Sequence, residues 1–300
     1  LGTYQEEQEK LKALKDFGSM VQQTLFDTSS EADLFYPMTD TGYANKEVTL
    51  SGEMLLENIQ DVQNGNNMHT DTSLVLEKGF GYCNLDVEME TGTGKTYVYL
   101  KTILELNKNY GWSKFIIVVP SIAIREGVKK SLEITAEHFF NQYGKNINFF
   151  VYNSKELNKI DDYSSSPDIQ VMVINTQAFN TIKEGAKNEA ARIIFSERDD
   201  FHSRRPIDVI SANRPIIIRD EPQKQEGKGT KEGLKQFKPL FVLNYSATHA
   251  EKHNLVYVMD SIEAYNEKLV KQIEVRGLSV SGHGGTGEYL YLSDIKLSPN

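Results

Sequence analysis

Leu85-Asp86-Val87-Glu88-Met89-Glu90-Thr91-Gly92-Thr93-Gly94-Lys95-Thr96 is the stretch from which the rest of this chain is read. Its first half alternates apolar and polar residues, as a strand does, and its second half is a glycine-rich turn closing on Lys-Thr. The residues that follow predict a helix over 95–109. Strand, glycine turn and helix in that order make a cradle for a nucleoside triphosphate. Gly92 and Gly94 let the backbone curl so that consecutive N–H groups of the ATP-binding loop, Thr91 to Thr96, face phosphate oxygens. Lys95 is placed to reach the β- and γ-phosphates and the Thr96 hydroxyl to ligate Mg²⁺. The positive end of the helix dipole adds to the same field.

A glycine-rich surface turn is the competing reading, and the flanking strand and helix weigh against it. The loop departs from the usual pattern at one place, because Met89 stands where its first glycine is expected. Nucleotide kinases keep that glycine, so Met89 points instead to motors of the helicase type. The bulk properties agree with a globular enzyme. The chain has 300 residues, enough for one large or two smaller domains, with 39% apolar and 25% charged residues. A net charge of −9 excludes wholesale electrostatic capture of nucleic acid but not a local basic groove. One cysteine, Cys83, leaves no internal disulfide and fits a reducing, cytoplasmic setting. No apolar run approaches the roughly 20 residues of a membrane span, so no membrane association is expected. A first residue of Leu1 rather than Met reads as a fragment or a processed product.

Three regions are expected: a helical and irregular stretch over 1–80, an ATP-binding lobe over 81–276, and a linker over 277–300. In the first, residues 6–17 read as a charged amphipathic helix, residues 27–30 and 39–42 as loops, and residues 50–62 as a second helix turning Met54, Leu55 and Ile59 inward. From residue 85 onward apolar runs recur at 115–119, 147–152, 169–174, 215–218, 240–243 and 255–258. Helical stretches at 122–140, 177–182 and 231–237 lie between several of them. Buried strands alternating with helices predict a mostly parallel α/β sheet covered on both faces. Ligands of such sheets sit beyond the carboxyl ends of the strands, where residues 91–96 fall. The glycine-rich segment 277–287 reads as an exit loop.

Such a cradle needs a second acid to hold Mg²⁺ and orient water. The run Ile216-Ile217-Ile218-Arg219-Asp220-Glu221-Pro222-Gln223 supplies it, a buried strand with two carboxylates at its tip and two further strands expected between it and the loop. Asp220 would anchor the metal through water, and Glu221 would polarise the attacking water. Arg219 stands where an aliphatic residue is usual. It must therefore meet a carboxylate or leave the sheet, and a sheet edge is the expected place. Ser246, Ala247 and Thr248, at a later strand end, are placed to hydrogen-bond the Asp-Glu tip and couple phosphate state to domain movement. Ser121 and Arg125, after the second strand, and Asn175 and Thr176, after the fourth, suit contacts to a phosphodiester backbone. An ordinary capped helix with a surface arginine is the competing reading of Ser121 and Arg125. The histidines show no metal-ligand spacing, and the scattered aromatics read as core.

Taken together, residues 89–99, residues 114–127, Asp220-Glu221-Pro222-Gln223 and Tyr245-Ser246-Ala247-Thr248-His249 resemble the motor segment of the restriction (Res) subunit of type III restriction-modification enzymes. The Asp-Glu-Pro-Gln form of the acidic motif is the most specific part of that resemblance, which covers about residues 81–276. It implies a RecA-like α/β lobe of an ATP- and Mg²⁺-dependent, superfamily-two helicase-like motor on double-stranded DNA. Cleavage would belong to the complete enzyme acting with a methyltransferase (Mod) subunit that recognises the site. It further implies a second motor lobe and a nuclease whose motifs are not among these 300 residues, with the arginine that completes the ATP site supplied by that second lobe. A motor lobe from a type I restriction, repair or RNA helicase protein is the alternative, as is a nucleotide-holding fragment without turnover.

Overall fold

Seven apolar segments pair side by side, and every pairing is parallel. The computed structural model describes residues 38–39, 42–180 and 193–271. The chain divides into units Leu1–Val270 and Lys271–Asn300, and all elements named here belong to the first. The helix expected over 6–17, the loop at 27–30, the end of the stretch 177–182 and the exit loop 277–287 lie outside the described residues.

After a two-residue pairing of β1 (Met38–Thr39) with β2 (Gly42–Tyr43) come α1 (Gly52–Gly65), β3 (Asn84–Met89), α2 (Lys95–Tyr110), β4 (Lys114–Val119) and α3 (Ile122–Tyr143). Then follow β5 (Asn148–Val151), α4 (Asn158–Ser165), β6 (Gln170–Asn175), α5 (Pro206–Ala212), β7 (Ile216–Asp220), α6 (Lys228–Gln236), β8 (Val242–Ser246), β9 (Asn254–Met259) and α7 (Ser261–Asn266). The sheet order is β5-β6-β4-β7-β8-β3-β9. One strand, β8, therefore separates the acidic strand β7 from the loop strand β3, not the two expected. The Ser-Ala-Thr strand itself fills the gap.

The central strands are mostly apolar because both faces are covered, and their alternate residues feed two cores. Phe115, Ile117, Val119, Ile216 and Ile218 pack under α1, α2 and α3, while Ile116, Val118 and Ile217 join Ile160, Ile210 and Leu234 of α4, α5 and α6. The predicted α/β class with helices on both faces is the observed one. Met54 is a correction. It is about half exposed, whereas Leu55, Ile59, Val62 and Gln63 form the inward stripe, so the first turn faces solvent and Ser51 caps it through Met54 N. Residues 177–180 are another, since only a 3-10 turn, Thr176–Ala178, follows β6 before the described residues break off.

Below the sheet, residues 42–50 run as a strap. Asn45 Oδ1 accepts from the N–H groups of Ser113 and Lys114, and its Nδ2 donates to the carbonyls of Lys114 and Arg214. Lys114 is wholly buried and donates to the carbonyls of Tyr163 and Ser166 at the end of α4. Burial pushes its pKa down to about 7. The strap and this lysine fix the amino ends of the strands and leave the opposite ends open as loops.

Candidate functional site

Gly92 and Gly94 have φ of +87° and +95°, a region that L side chains rarely occupy. A Cβ at Gly94 would meet nothing within 4 Å, and at Gly92 only Val270 Cγ1 at 3.9 Å. Lack of room therefore does not demand glycine here; the backbone conformation does, and the space above the turn is open to an anion. Gly94 is also the residue from which α2 begins, so the positive end of that helix opens into the same space. Thr91 N is already engaged by Glu90 Oε1 at 2.6 Å, and Thr93 bonds Glu90 O through its N–H and hydroxyl. Met89, in place of the usual glycine, is buried and turns its carbonyl to Lys95 Nζ at 3.3 Å.

The acidic tip arrives from β7. Lys95 Nζ lies 3.1 Å from Glu221 Oε1, so the loop lysine and the second carboxylate meet directly. Glu221 has φ of +56°, an uncommon left-handed conformation for a residue with a side chain. Its N–H donates to Tyr245 O, and its other oxygen accepts from Gln223 Nε2 at 2.6 Å. Asp220 is buried, and its pKa is pushed up to about 6, first by burial and then by the Glu221 charge; Lys95, Tyr99 and Lys224 pull it the other way. Tyr99 was not found from sequence. Its hydroxyl lies 3.4 Å from both Thr96 Oγ1 and Asp220 Oδ2, bridging the two oxygens expected to hold Mg²⁺. The available signal was its spacing, three residues after Thr96 on one helix face.

Among the described residues, no group of three or more His, Cys, Asp or Glu is arranged to hold a metal. That is compatible with Mg²⁺, which takes one or two protein oxygens and completes its shell with phosphates and water. Thr96 and Asp220 could supply those two, and the open glycine cradle leaves room for the phosphates. The cleft measures about 490 Å³ and is lined by residues 91, 92 and 94–97, by Asp220 and Glu221, and by a wall from α3 that includes Ile124, Ile134 and Thr135. That wall was not foreseen either.

Ser246 Oγ lies 2.8 Å from Gln223 Oε1, and Thr248 N donates back to Ser246 Oγ. The segment Ser246-Ala247-Thr248 thus touches the acidic tip through Gln223 rather than through the carboxylates themselves. Ser121 caps α3 by accepting from Ile124 N, and Arg125 pairs with its neighbour Glu126 at 2.9 Å. Asn175 is half-buried at the end of β6, and Thr176 is buried. Ser121 and Arg125 follow the carboxyl end of β4, and Asn175 and Thr176 lie at that of the adjacent β6. Arg219 meets a carboxylate, as expected, its guanidinium buried against Glu226 at 3.1 Å, but the sheet edge is a correction, since Arg219 lies on an interior strand. No helix of the described residues is long and apolar enough to cross a membrane.

The family model for the type III restriction enzyme, res subunit, matches residues 81–251. The Res subunit of the type III restriction-modification enzyme EcoPI from Escherichia phage P1 is 34% identical over 249 residues, covering 76% of this chain and 25% of its own length. The EcoP15I Res subunit of Escherichia coli is also 34% identical, over 77% of this chain and 25% of its own. The StyLTI Res subunit of Salmonella typhimurium is 27% identical over 69% and 24%. This chain therefore spans about a quarter of the length of these relatives. Among solved structures, the SWI2/SNF2 ATPase core of Sulfolobus solfataricus in complex with double-stranded DNA aligns with a TM-score of 0.36 at 14% identity, over 71% of this chain and 35% of its own. A nuclease-deletion mutant of the Type ISP restriction-modification enzyme LlaGI aligns at 0.39 and 19% identity, over 61% and 18%.

Proposed function

This chain belongs to the res subunit family of type III restriction enzymes, and from that premise we propose that it is the ATP-binding first lobe of a motor that moves along double-stranded DNA. The lobe would span residues 81–276. The observation that supports this reading most strongly is the 3.1 Å approach of Lys95 to Glu221 beneath an open, positive-φ glycine turn. Loop lysine and acidic tip come from separate parts of the chain and converge where a γ-phosphate would lie. Residues 91–96 would hold the triphosphate, and Thr96 and Asp220 the Mg²⁺ ion, which when bound neutralises phosphate charge. Glu221 would release Lys95 to the phosphates and accept a proton from the attacking water. Gln223 and Ser246 would sense that exchange, since they already connect Glu221 to the end of β8.

Ser121, Arg125, Asn175 and Thr176 would contact the DNA backbone, which carries no sequence information. Site recognition would fall to a methyltransferase partner, and cleavage to the complete enzyme. The test is steady-state ATP hydrolysis by the full-length protein, with and without duplex DNA. DNA-stimulated turnover lost on Glu221→Gln is the expected result. Turnover indifferent to both DNA and Glu221 would overturn the proposal.

A further inference from the structure

Arg219 is costly where it stands. Its guanidinium is buried in the middle of a parallel sheet, one residue before the acidic tip, where an aliphatic side chain would pack without desolvating a charge. Its partners show what the charge holds. Nε lies 3.4 Å from Gln225 Oε1, Nη2 lies 3.4 Å from Pro222 O and 3.1 Å from Glu226 Oε1, and Nη1 reaches Asn244 Oδ1 at 3.5 Å. Three of these four acceptors belong to residues 222–226, the turn that leaves Glu221. Gln225 in turn donates to the carbonyl of Asp220 at 2.7 Å and to that of Val118 at 3.2 Å.

The fourth acceptor ties this knot to the phosphate-loop strand. Arg219, Asn244 and Asp86 are direct register partners on β7, β8 and β3, three strands in succession. Asn244 Nδ2 donates to Asp86 Oδ1 at 2.8 Å, and Asp86 Oδ2 accepts from His253 N at 2.7 Å. One polar rung therefore crosses the strands that carry the glycine loop, the Ser-Ala-Thr segment and the Asp-Glu tip.

We propose that Arg219 is a positioning residue for Glu221: by gripping residues 222–226 from inside the sheet, it holds the left-handed backbone at Glu221 that turns the carboxylate into the cleft. A strained conformation persists only where its surroundings over-determine it, and the fan of contacts from Arg219 does so here. The proposal rests on the reading of Glu221 as the hydrolytic carboxylate.

The experiment measures kcat and ATP affinity of the full-length protein with duplex DNA for Arg219→Lys, Glu221→Gln and the double variant. A lysine keeps the charge but presents one point donor where a planar fork reached several acceptors. A slightly misplaced catalytic group costs up to about a hundredfold in rate, so Arg219→Lys should lower kcat by roughly tenfold or more while ATP affinity changes less than about threefold. In the Glu221→Gln background the same change should cost less than about twofold, because it acts through a carboxylate already removed. Equal losses in both backgrounds, or affinity falling in step with kcat, would assign Arg219 a merely structural role and overturn the proposal. If Glu221→Gln alone leaves kcat intact, the reading of the site fails instead. Should Arg219→Lys not fold, the half-buried Glu226→Gln variant is measured in the same two backgrounds. It should cost several-fold in kcat with Glu221 present and nothing without it, and no effect in either background would refute the grip.

Discussion

Asp220→Asn should make the nucleotide-free protein more stable at neutral pH, an unusual direction for a change at a buried polar site. The Asp220 carboxyl, ordinarily near 3.8, is raised to about 6 by burial and by the adjacent Glu221 charge. The folded state therefore binds this proton more tightly than the unfolded chain does. Its contribution to stability is fully present below 3.8 and is lost as pH rises through about 6. At ~1.4 kcal/mol per pH unit, the roughly two units between those values amount to about 3 kcal/mol of destabilisation at neutral pH. An asparagine keeps an oxygen for the Tyr99 hydroxyl and never ionises, so it escapes that cost. In urea unfolding, with a slope of about 3 kcal/mol per molar, the midpoint should rise by roughly 1 M near pH 7.5. The gain should shrink through pH 6 and vanish near pH 4. Mg²⁺ and nucleotide together should stabilise the wild type and not the variant, because the ionised carboxylate is what a metal would use. Equal midpoints at pH 7.5, or a difference that does not change with pH, would refute the reasoning and mean that Asp220 is adequately solvated.

Four further outcomes follow from the same geometry. Lys95→Ala should abolish Mg-ATP binding in a calorimetric titration, since it removes the one charge aimed at the β- and γ-phosphates; unchanged affinity would mean that the glycine turn holds something else. Glu221→Gln should bind ATP nearly as well as wild type yet hydrolyse it at least ~100-fold more slowly, and equal loss of both in binding and turnover assays would make Glu221 structural. Binding of residues 1–300 to duplex DNA, followed by fluorescence anisotropy, should be weak, strongly salt-dependent and indifferent to sequence, with Arg125→Ala lowering the log–log salt slope by about one. Those same residues alone should turn over ATP slowly even with DNA present. The two arginines nearest the motifs, Arg125 and Arg219, are paired with Glu126 and Glu226, and loss of a cationic finger costs roughly a thousandfold or more in related systems. Turnover on the scale of complete motors would show that an arginine within the chain completes the site.

What could be read from the sequence is what local pattern encodes. Strand after strand announced itself because a parallel sheet buried on both faces requires unbroken apolar runs, and Phe115 to Val119 or Ile216 to Ile218 admit no other role. The glycine turn was equally legible, since a backbone with φ near +90° selects for glycine directly. Short elements escaped. Neither α4, eight residues and rich in Asp and Ser, nor α5, only seven residues long, is long enough to repeat a helical pattern. The deeper omissions are contacts between distant residues. Asn45 bonds carbonyls 69 and 169 residues later in the chain, Tyr99 meets Asp220 across 121 positions, and Asn244 meets Asp86 across 158. Each is a polar group whose identity looks arbitrary in its own window and is dictated by what the fold sets opposite it. Arg219 is the clearest case. The sequence marks it as out of place, and burial of a charge demands a partner, but only the register of β7, β8 and β3 reveals that its partners are the turn behind Glu221 and, by way of Asn244, the strand leading to the phosphate loop. An oddity in the pattern therefore marked a working part, and the reason for it lay in the pairing of strands rather than in the stretch that contains it.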